Sequence, residues 1–433
     1  MTEEMKAPIS AHELPHMKFF LFALLSQVVV MTAQHTQAAD ARSALEAALI
    51  AEDFAGIKAA VEQGRILLGD QAGMPEVPDD YRPLPANARL LTRDEARQAV
   101  KKSFAQLEKM RFWHIGLDPT KLTTPLRAPA SVVACMVALH RAKLDEDAAA
   151  LQHAKDAADF LLWAQEQAGA GCYPFPAAKN TSQDRAMQVA TRFLERAEAH
   201  GKLSETVRNG WAYEDHGDGG MQFDNGECGV AMLELYEITR EPRYLDSALQ
   251  AADWAITRPL CTNWNYNSFS VHLLAKAHQV TKQPKYLTAA LKKAQLGVIP
   301  GQLTDGPRAG RWMDPHNARP AYHYIMMTSL TRLASELPPD YADRSSVMRC
   351  LRLGLTVRNT EILTLGVMNK DKPFECLRLV QRLFPTDTLF LSETKTLEAL
   401  DTIQRFASEE ARHGKLPLGP RGWGELLERC VEP

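Results

Sequence analysis

One segment of the chain occurs twice, 42 residues apart. ITREPRYLDSALQAAD, residues 238–253, overlays VTKQPKYLTAALKKAQ, residues 280–295, with seven identical positions. Each copy reads as the end of one helix, a short turn and the start of a second helix, with a long loop after it. A helical-pair repeat of this length predicts stacked hairpins, in an open solenoid or a closed ring. Matching residues include the pairs Thr239 and Thr281, Pro242 and Pro284, Tyr244 and Tyr286, and, further upstream, Asn225 and Asn267.

Two further segments fit the same pattern. Residues 153–165 resemble the second helix of a unit, and residues 322–355 read as another hairpin. The turns inside the hairpins are short and have no unusual composition, whereas the loops between hairpins are long and rich in polar and aromatic residues. Because these loops recur at one phase of the repeat, they should lie at one end of the assembly, the usual place for a site. The sequence therefore predicts an all-α fold, an α/α toroid or incomplete barrel with long loops on one rim, in preference to an open array.

The chain divides into four parts under this interpretation. Residues 1–39 are a signal peptide with an upstream extension, and 40–128 are an N-terminal helical segment with a Pro-rich connector. Residues 129–357 form the toroid core, and helices in 358–433 complete the toroid. Within the N-terminal segment, helices are predicted over 41–64 and 92–110.

The N-terminus has the layout of a signal peptide. Lys18 precedes the apolar run FFLFALLSQVVVM, and small residues suited to cleavage end at Ala38 and Ala39. The run is too short to span a bilayer, so no stable membrane span is expected after cleavage. This predicts a secreted or periplasmic protein, with Met17 as a candidate true start. The alternative is a buried N-terminal helix.

Charge, cysteine pattern and missing motifs exclude several function classes. With 50 basic and 53 acidic residues, the chain has no excess of positive charge, and nucleic acid is therefore not expected as a partner. The seven cysteines include no CxxC pair, which argues against a zinc site and leaves disulfide pairing open. HExxH, GxSxG, Walker and dinucleotide-binding motifs are absent from the sequence.

The loop GWAYEDHGDGGMQFDNGECGV, residues 210–230, combines carboxylates, glycines and aromatic residues. Its DNGE portion predicts a capping box, with Asp224 as the N-cap and Glu227 at the third helical position. Capping does not account for Glu214, Asp215 and Asp218, which are either solvated surface acids or part of a site.

A second loop, DGPRAGRWMDPHNARPAYHY at residues 305–324, supplies the opposite charge. Aromatic faces beside carboxylates and guanidinium groups suit a carbohydrate, because sugar C–H faces stack on rings. Arginine also matches a carboxylate through two parallel hydrogen bonds. The predicted ligand is an acidic polysaccharide or oligosaccharide. The predicted binding residues are Trp211, Tyr213, Asn265, Tyr266, Trp312, His316, Asn317 and Tyr322.

Two segments resemble the family 10 pectate lyases. DFLLWAQEQAGAGCYPFP, residues 159–176, is similar to the family's helix that ends in Gln shortly before a Gly-Gly-Trp-Pro type loop. MQFDNGECGVAMLELYEI, residues 221–238, is similar to its Phe-Asn-Asp-Asp segment, although Asp224 and Asn225 stand in the reverse order here. Cys172 and Tyr173 likewise stand where the family has Gly-Trp. The resemblance implies an α/α toroid and a secreted enzyme that cleaves polygalacturonate by β-elimination with calcium.

The resemblance also implies roles for individual residues. The family removes the proton α to the uronate carboxylate with an arginine, for which Arg311 is the first candidate and Arg308 the second. Asp215, Asp218 and Asp224 would then supply oxygen ligands for calcium.

Three other functions stay open at this point. A toroidal glycoside hydrolase needs two carboxylates, for which Asp215 or Asp224 could act with Asp314. A non-catalytic polysaccharide-binding protein would keep the toroid and its aromatic rim without a base. A sugar epimerase would use paired histidines, chosen from His216, His316 and His323.

Overall fold

The computed structural model describes residues 37–75, 80–144, 149–179, 185–413 and 418–431. The predicted apolar signal segment therefore lies outside the described residues. Helix α1 covers residues 37–50 and α2 covers Phe54–Leu68, where the sequence predicted one helix over 41–64. The helix is interrupted between them because Glu52 adopts the left-handed backbone conformation, with φ 54°. The side chain of Asp53 then caps α2 by accepting a hydrogen bond from the N–H of Ala55 at 3.1 Å.

Helix α3 (Arg93–Met110) leads into a two-layered ring of helices. In the described part of the chain, each inner helix packs against the next, and the last packs against the first. An outer helix packs against each of the first five inner helices. The prediction of an all-α toroid is confirmed. The inner helices are α4 (Arg127–Arg141), α8 (Met221–Thr239), α10 (Trp264–Thr281), α12 (Pro320–Glu336), α14 (Asp371–Leu383) and α17 (Pro420–Arg429). The outer helices are α5 (Ala149–Ala168), α9 (Pro242–Thr257), α11 (Pro284–Gly297), α13 (Arg344–Leu365) and α16 (Thr396–Arg412).

The long loops precede the N-termini of inner helices, so they meet at one rim of the ring. The loop before α8 is the most elaborate, with two helices and a three-stranded antiparallel sheet in the order β1-β3-β2. Ala212 pairs with Phe175 on one side and with Val207 on the other. These elements are α6 (Arg185–Ala199), α7 (Leu203–Thr206), β1 (Phe175–Pro176), β2 (Val207–Arg208) and β3 (Trp211–Ala212), and α15 (Thr388–Glu393) lies before α16.

The repeated sequence encodes the same turn twice. The hydroxyls of Thr239 and Thr281 donate to carbonyls four residues earlier, at 3.0 and 2.7 Å. The next residue, Arg240 or Lys282, ends the inner helix in the left-handed conformation. A proline then begins the outer helix, where its missing N–H removes no helical hydrogen bond.

The repeated asparagines join each inner helix to its outer partner. The side-chain amide of Asn225 donates to the carbonyl of Ala251 at 3.0 Å, and that of Asn267 donates to the carbonyl of Gly297 at 2.8 Å. Each side-chain oxygen accepts a main-chain N–H from the preceding rim loop. Both residues are buried, so this repeated position has a structural role.

Two glycines allow the inner helices to approach closely. A Cβ on Gly226 would lie 2.8 Å from the carbonyl oxygen of Phe269, and one on Gly424 would lie 2.6 Å from that of Cys135. Neither position has room for a side chain. These glycines therefore permit the contact of α8 with α10 and the contact of α17 with α4 that closes the ring.

The cysteines are unpaired in this structure. Six are buried and Cys430 is partly buried. Burial raises the pKa of the thiols, for example that of Cys172 to about 12, so they act as small apolar side chains. Within the described ranges, no helix is long and apolar enough to cross a membrane.

Candidate functional site

The acidic loop begins α8 in a different way from the one predicted. The helix starts at Met221, so Asp224 lies inside its first turn and the predicted capping box is wrong. A carboxylate oxygen of Asp215 accepts from the N–H of Met221 at 3.0 Å instead. A capping box does occur at α3, where Thr92 and Glu95 exchange side-chain to main-chain hydrogen bonds of 2.7 and 3.2 Å.

The three predicted calcium ligands have other partners. Both oxygens of the buried Asp224 accept from the Arg127 guanidinium, at 3.0 and 2.6 Å. Asp218 pairs with Arg196 at 2.7 Å, and Asp215 binds main-chain N–H groups. Among the described residues, no group of three or more His, Cys, Asp or Glu side chains could hold a metal ion. The three carboxylates are thus engaged by arginine side chains and main-chain N–H groups, and a calcium site stays a prediction.

The two candidate base arginines lie on the loop between α11 and α12. The guanidinium of Arg311 pairs with Glu361 on the outer helix α13, and Glu361 also accepts from Arg358. Burial and the charge of Arg358 lower the pKa of Arg311. Arg308 is partly exposed on the same loop. The structure thus places Arg311 in an ion pair with the outer layer.

The predicted aromatic binding residues divide into core and rim. Trp211 and Trp312 are fully buried, and Trp211 packs edge-on against Trp163, with ring centroids 5.9 Å apart. Tyr213 is partly buried beside the guanidinium of Arg208. The two buried indoles have no surface to offer a sugar, which corrects the prediction that they bind one.

Other predicted residues do meet at the rim. His316 and Tyr322 are partly exposed and stack with ring centroids 4.4 Å apart, and Tyr266 is also partly exposed. Asn265 and Asn317 are buried and share a hydrogen bond of 2.8 Å. The asparagines join the first turn of α10 to the loop before α12, and the three rings are the accessible part of this group.

The residues considered for other reactions have separate partners. His216 bonds to the hydroxyl of Thr206 at 2.8 Å, whereas His323 is buried and bonds to a main-chain carbonyl of α13 at 3.0 Å. One carboxylate oxygen of Asp314 accepts from the N–H and the amide of Asn317. The contacts do not join these groups into one acid–base site.

A stack of aromatic rings lies at the rim end of α8 and α10. The rings of Phe223 and Phe269 are nearly parallel, with centroids 4.0 Å apart. The guanidinium of Arg127 lies 3.7 Å from the centre of the Phe223 ring and is held there by Asp224. Of this stack, Phe269 also lines the cavity described next.

The inner helices surround a cavity of about 240 Å³. Every inner helix contributes to its wall, which consists mainly of charged and polar side chains. None of the site residues that the sequence predicted lines it. The pattern on α10 could have indicated it, because His272, Lys276 and Gln279 are four and three residues apart and therefore share one face of the helix.

Two carboxylates in this wall share one lysine. The ammonium of Lys372 donates to Glu227 at 3.1 Å and to Glu375 at 2.9 Å. Burial raises the pKa of Glu375 to about 7, despite the lysine. Burial also opposes ionisation of Glu227, but Lys372 and Arg421 together lower its pKa. Neighbouring carboxyl groups whose pKa values are pushed apart are the arrangement that acid–base catalysis requires.

A buried ion pair lies further along the axis. One nitrogen of Arg421 donates to both oxygens of Glu234, at 2.9 Å each. Burial alone would raise the pKa of Glu234, but Arg421 lowers it to about 2. Glu234 therefore stays ionised at neutral pH.

Three polar atoms of the cavity wall have no partner within the described residues. They are Nε2 of His272, Nε of Arg332 and Oε2 of Glu425, and all three are buried. Burial lowers the pKa of His272 to about 3, so its imidazole is neutral. Since buried polar atoms are almost always hydrogen-bonded, these three indicate where a polar ligand or ordered water binds.

Fold and site together define an α/α toroid with a charged cavity on its axis. No protein-family model matches the sequence, and no curated protein matches it either. The resemblance to family 10 pectate lyases therefore stays a prediction.

Solved structures similar to this chain are enzymes of carbohydrate metabolism. A polysaccharide lyase has 13% identity and a TM-score of 0.49, over 78% of this chain and 96% of that one. A family 88 glycosyl hydrolase from Bacteroides vulgatus has 11% identity and a TM-score of 0.48, over 79% and 99%. A cellobiose 2-epimerase from Spirochaeta thermophila has 13% identity and a TM-score of 0.44, over 80% and 99%. Their reactions differ, and similarity at this level assigns none of them to this chain.

Proposed function

We propose that this protein binds a sugar unit in its axial cavity and hydrolyses the adjoining glycosidic bond. The observation that supports this is the pair Glu227 and Glu375, joined by Lys372 in a cavity that also presents unpartnered polar atoms. The cavity of about 240 Å³ is smaller than the roughly 300–1,000 Å³ of typical ligand pockets. It therefore suits one small polar unit, such as a terminal sugar, better than the middle of a polymer.

The two carboxyl groups would have different roles, one as general acid and the other as nucleophile or general base. Glu375 keeps its proton up to about neutral pH and can donate it to the departing oxygen, while ionised Glu227 attacks the anomeric carbon or activates water. Their nearest oxygens can be no further apart than the sum of their two distances to Lys372. This favours the roughly 5–5.5 Å spacing of retaining glycosidases over the roughly 6.5–9.5 Å of inverting ones.

Cleavage of a uronic-acid polymer by β-elimination is the second candidate, carried by the sequence resemblance. Its predicted base, Arg311, is engaged in an ion pair with Glu361, which favours hydrolysis over elimination. Secretion or export to the periplasm remains part of the proposal, on the strength of the apolar segment after Lys18.

The proposal is tested by assaying purified protein on neutral and uronic-acid oligosaccharides. New reducing ends without ultraviolet-absorbing product indicate hydrolysis, whereas an absorbing unsaturated end indicates elimination. Glu375→Gln should lower kcat by about 10²–10⁴-fold and remove the loss of rate above pH 7, because it removes the acid. Glu393→Gln, in a surface pair with Arg352, is the control and should match the wild type. No product from any substrate, or full activity in Glu375→Gln, would contradict the proposal.

A further inference from the structure

Arg332 is a buried cation without a carboxylate partner. The residue is 6% exposed, yet among the described residues no Asp or Glu forms an ion pair with it. Within the described part of the chain, its side chain donates one hydrogen bond, to the amide oxygen of Gln279 at 3.0 Å. That oxygen is already shared with Lys276, at 2.9 Å. Burial lowers the pKa of Arg332 and outweighs the opposing effect of Glu234, Glu237 and Glu336, which lie nearby without pairing with it.

The unsatisfied part of Arg332 lies in the cavity wall. The residue lines the axial cavity on α12, and its Nε is buried with no hydrogen-bond partner among the residues that the structure describes. Lys276, the other cation nearby, differs because it pairs with Glu237 at 2.7 Å. Arg421, on α17, pairs with Glu234 at 2.9 Å through one of its nitrogens. Arg332 is thus the cation of this group with capacity left for an anion.

We infer that Arg332 binds the carboxylate of an acidic sugar, and that this ion pair selects uronic acids over neutral sugars. A guanidinium binds a carboxylate through two parallel N–H donors, which a hydroxymethyl or amide group cannot match. The neutral His272, whose Nε2 is also unpartnered, can exchange a hydrogen bond with a hydroxyl of the same ring. The inference rests on the proposed function, since it assumes a sugar in the axial cavity, and it adds the chemical class of that sugar.

Binding can be measured without turnover. Titration calorimetry with glucuronate and galacturonate, each compared with its uncharged amide, isolates the carboxylate. The wild type should bind the acid at least tenfold more tightly than the amide. Arg332→Met should lose this preference, and Arg332→Lys should retain part of it. If wild-type protein binds the acid and the amide equally, the inference fails while the proposed function survives. If it binds no sugar at all, both fail.

Thermal unfolding separates a ligand-binding arginine from a structural one. Without ligand, Arg332→Met should leave Tm unchanged or raise it, because an unpartnered buried charge is removed. The acid should raise the Tm of the wild type but not that of Arg332→Met. Arg352→Met, at an exposed surface pair, is the control and should respond to the acid as the wild type does. A large fall in Tm for Arg332→Met would show a structural role and overturn the inference.

Discussion

Replacing Arg421 by methionine tests whether its buried ion pair with Glu234 stabilises the toroid. The change removes the partner of Glu234, whose side chain is only 15% exposed. Arg421 holds the pKa of Glu234 at about 2 instead of 4.5. Since a tenfold change in proton affinity is worth about 1.4 kcal/mol, the ionised carboxylate contributes about 3 kcal/mol to folding. Loss of one partner of a buried pair costs a similar amount, about 3–5 kcal/mol.

The expected result for Arg421→Met is a loss of about 3 kcal/mol at pH 7, or roughly 3–4 °C in Tm for a chain of this length. A lowered folded-state pKa stabilises the protein above the unfolded value, and this stabilisation is lost as pH falls from 4.5 towards 2. The difference between variant and wild type should therefore shrink over that range. The measurement is urea unfolding followed by circular dichroism across this pH range.

Arg405→Met is the matched control for this experiment. Arg405 pairs with Asp401 at 2.9 Å, but both side chains are nearly half exposed. An exposed pair four residues apart on a helix contributes about 0.3–0.5 kcal/mol. Equal losses from Arg421→Met and Arg405→Met, or a loss for Arg421→Met that does not change with pH, would refute the reasoning.

Two further predictions concern ring closure and the outer layer. Gly424→Ala should destabilise the fold by about 1–3 kcal/mol in urea unfolding, because its methyl group meets the carbonyl of Cys135. Gly422→Ala, on the same helix but with only ordinary contacts, should be neutral or stabilising by up to about 1 kcal/mol, and equal effects would contradict the packing argument. Arg311→Ala should lower Tm, because it leaves Glu361 without one of its partners, and should keep activity towards oligosaccharides. Loss of activity with unchanged Tm would instead support Arg311 as the catalytic base of β-elimination.

The helical repeat predicted the fold because the repeated residues act locally. Threonine, a left-handed residue and proline define each turn within a few residues, and the repeat length then requires hairpins to stack. The start of α8 was harder to predict. DNGE has the form of a capping box, but Asp215, six residues before Met221, provides the cap through a folded loop.

The axial cavity that supports the proposed function was not predicted from the sequence, for a physical reason. The predicted residues lie in loops with dense charge and aromatic rings. The structure places many of them in ion pairs or in the core, and leaves Tyr266, His316 and Tyr322 partly exposed at the rim. Glu227, Lys372 and Arg421 look unremarkable on their own helices, each separated from the next by many residues. Only closure of the ring brings them together. Burial in the closed ring then raises the pKa of Glu375, and burial cannot be read from the sequence around that residue.

The sequence alone therefore determined the helical hairpins, their turns and the rim on which the long loops lie, since these depend on contacts within or between adjacent units. The tertiary structure decided which polar side chains face the axis and which carboxylates stay ionised there. It also left Arg332 without an ion-pair partner in the described part of the chain. Those properties depend on distance and burial between helices far apart in the chain, and electrostatic free energies are set by both.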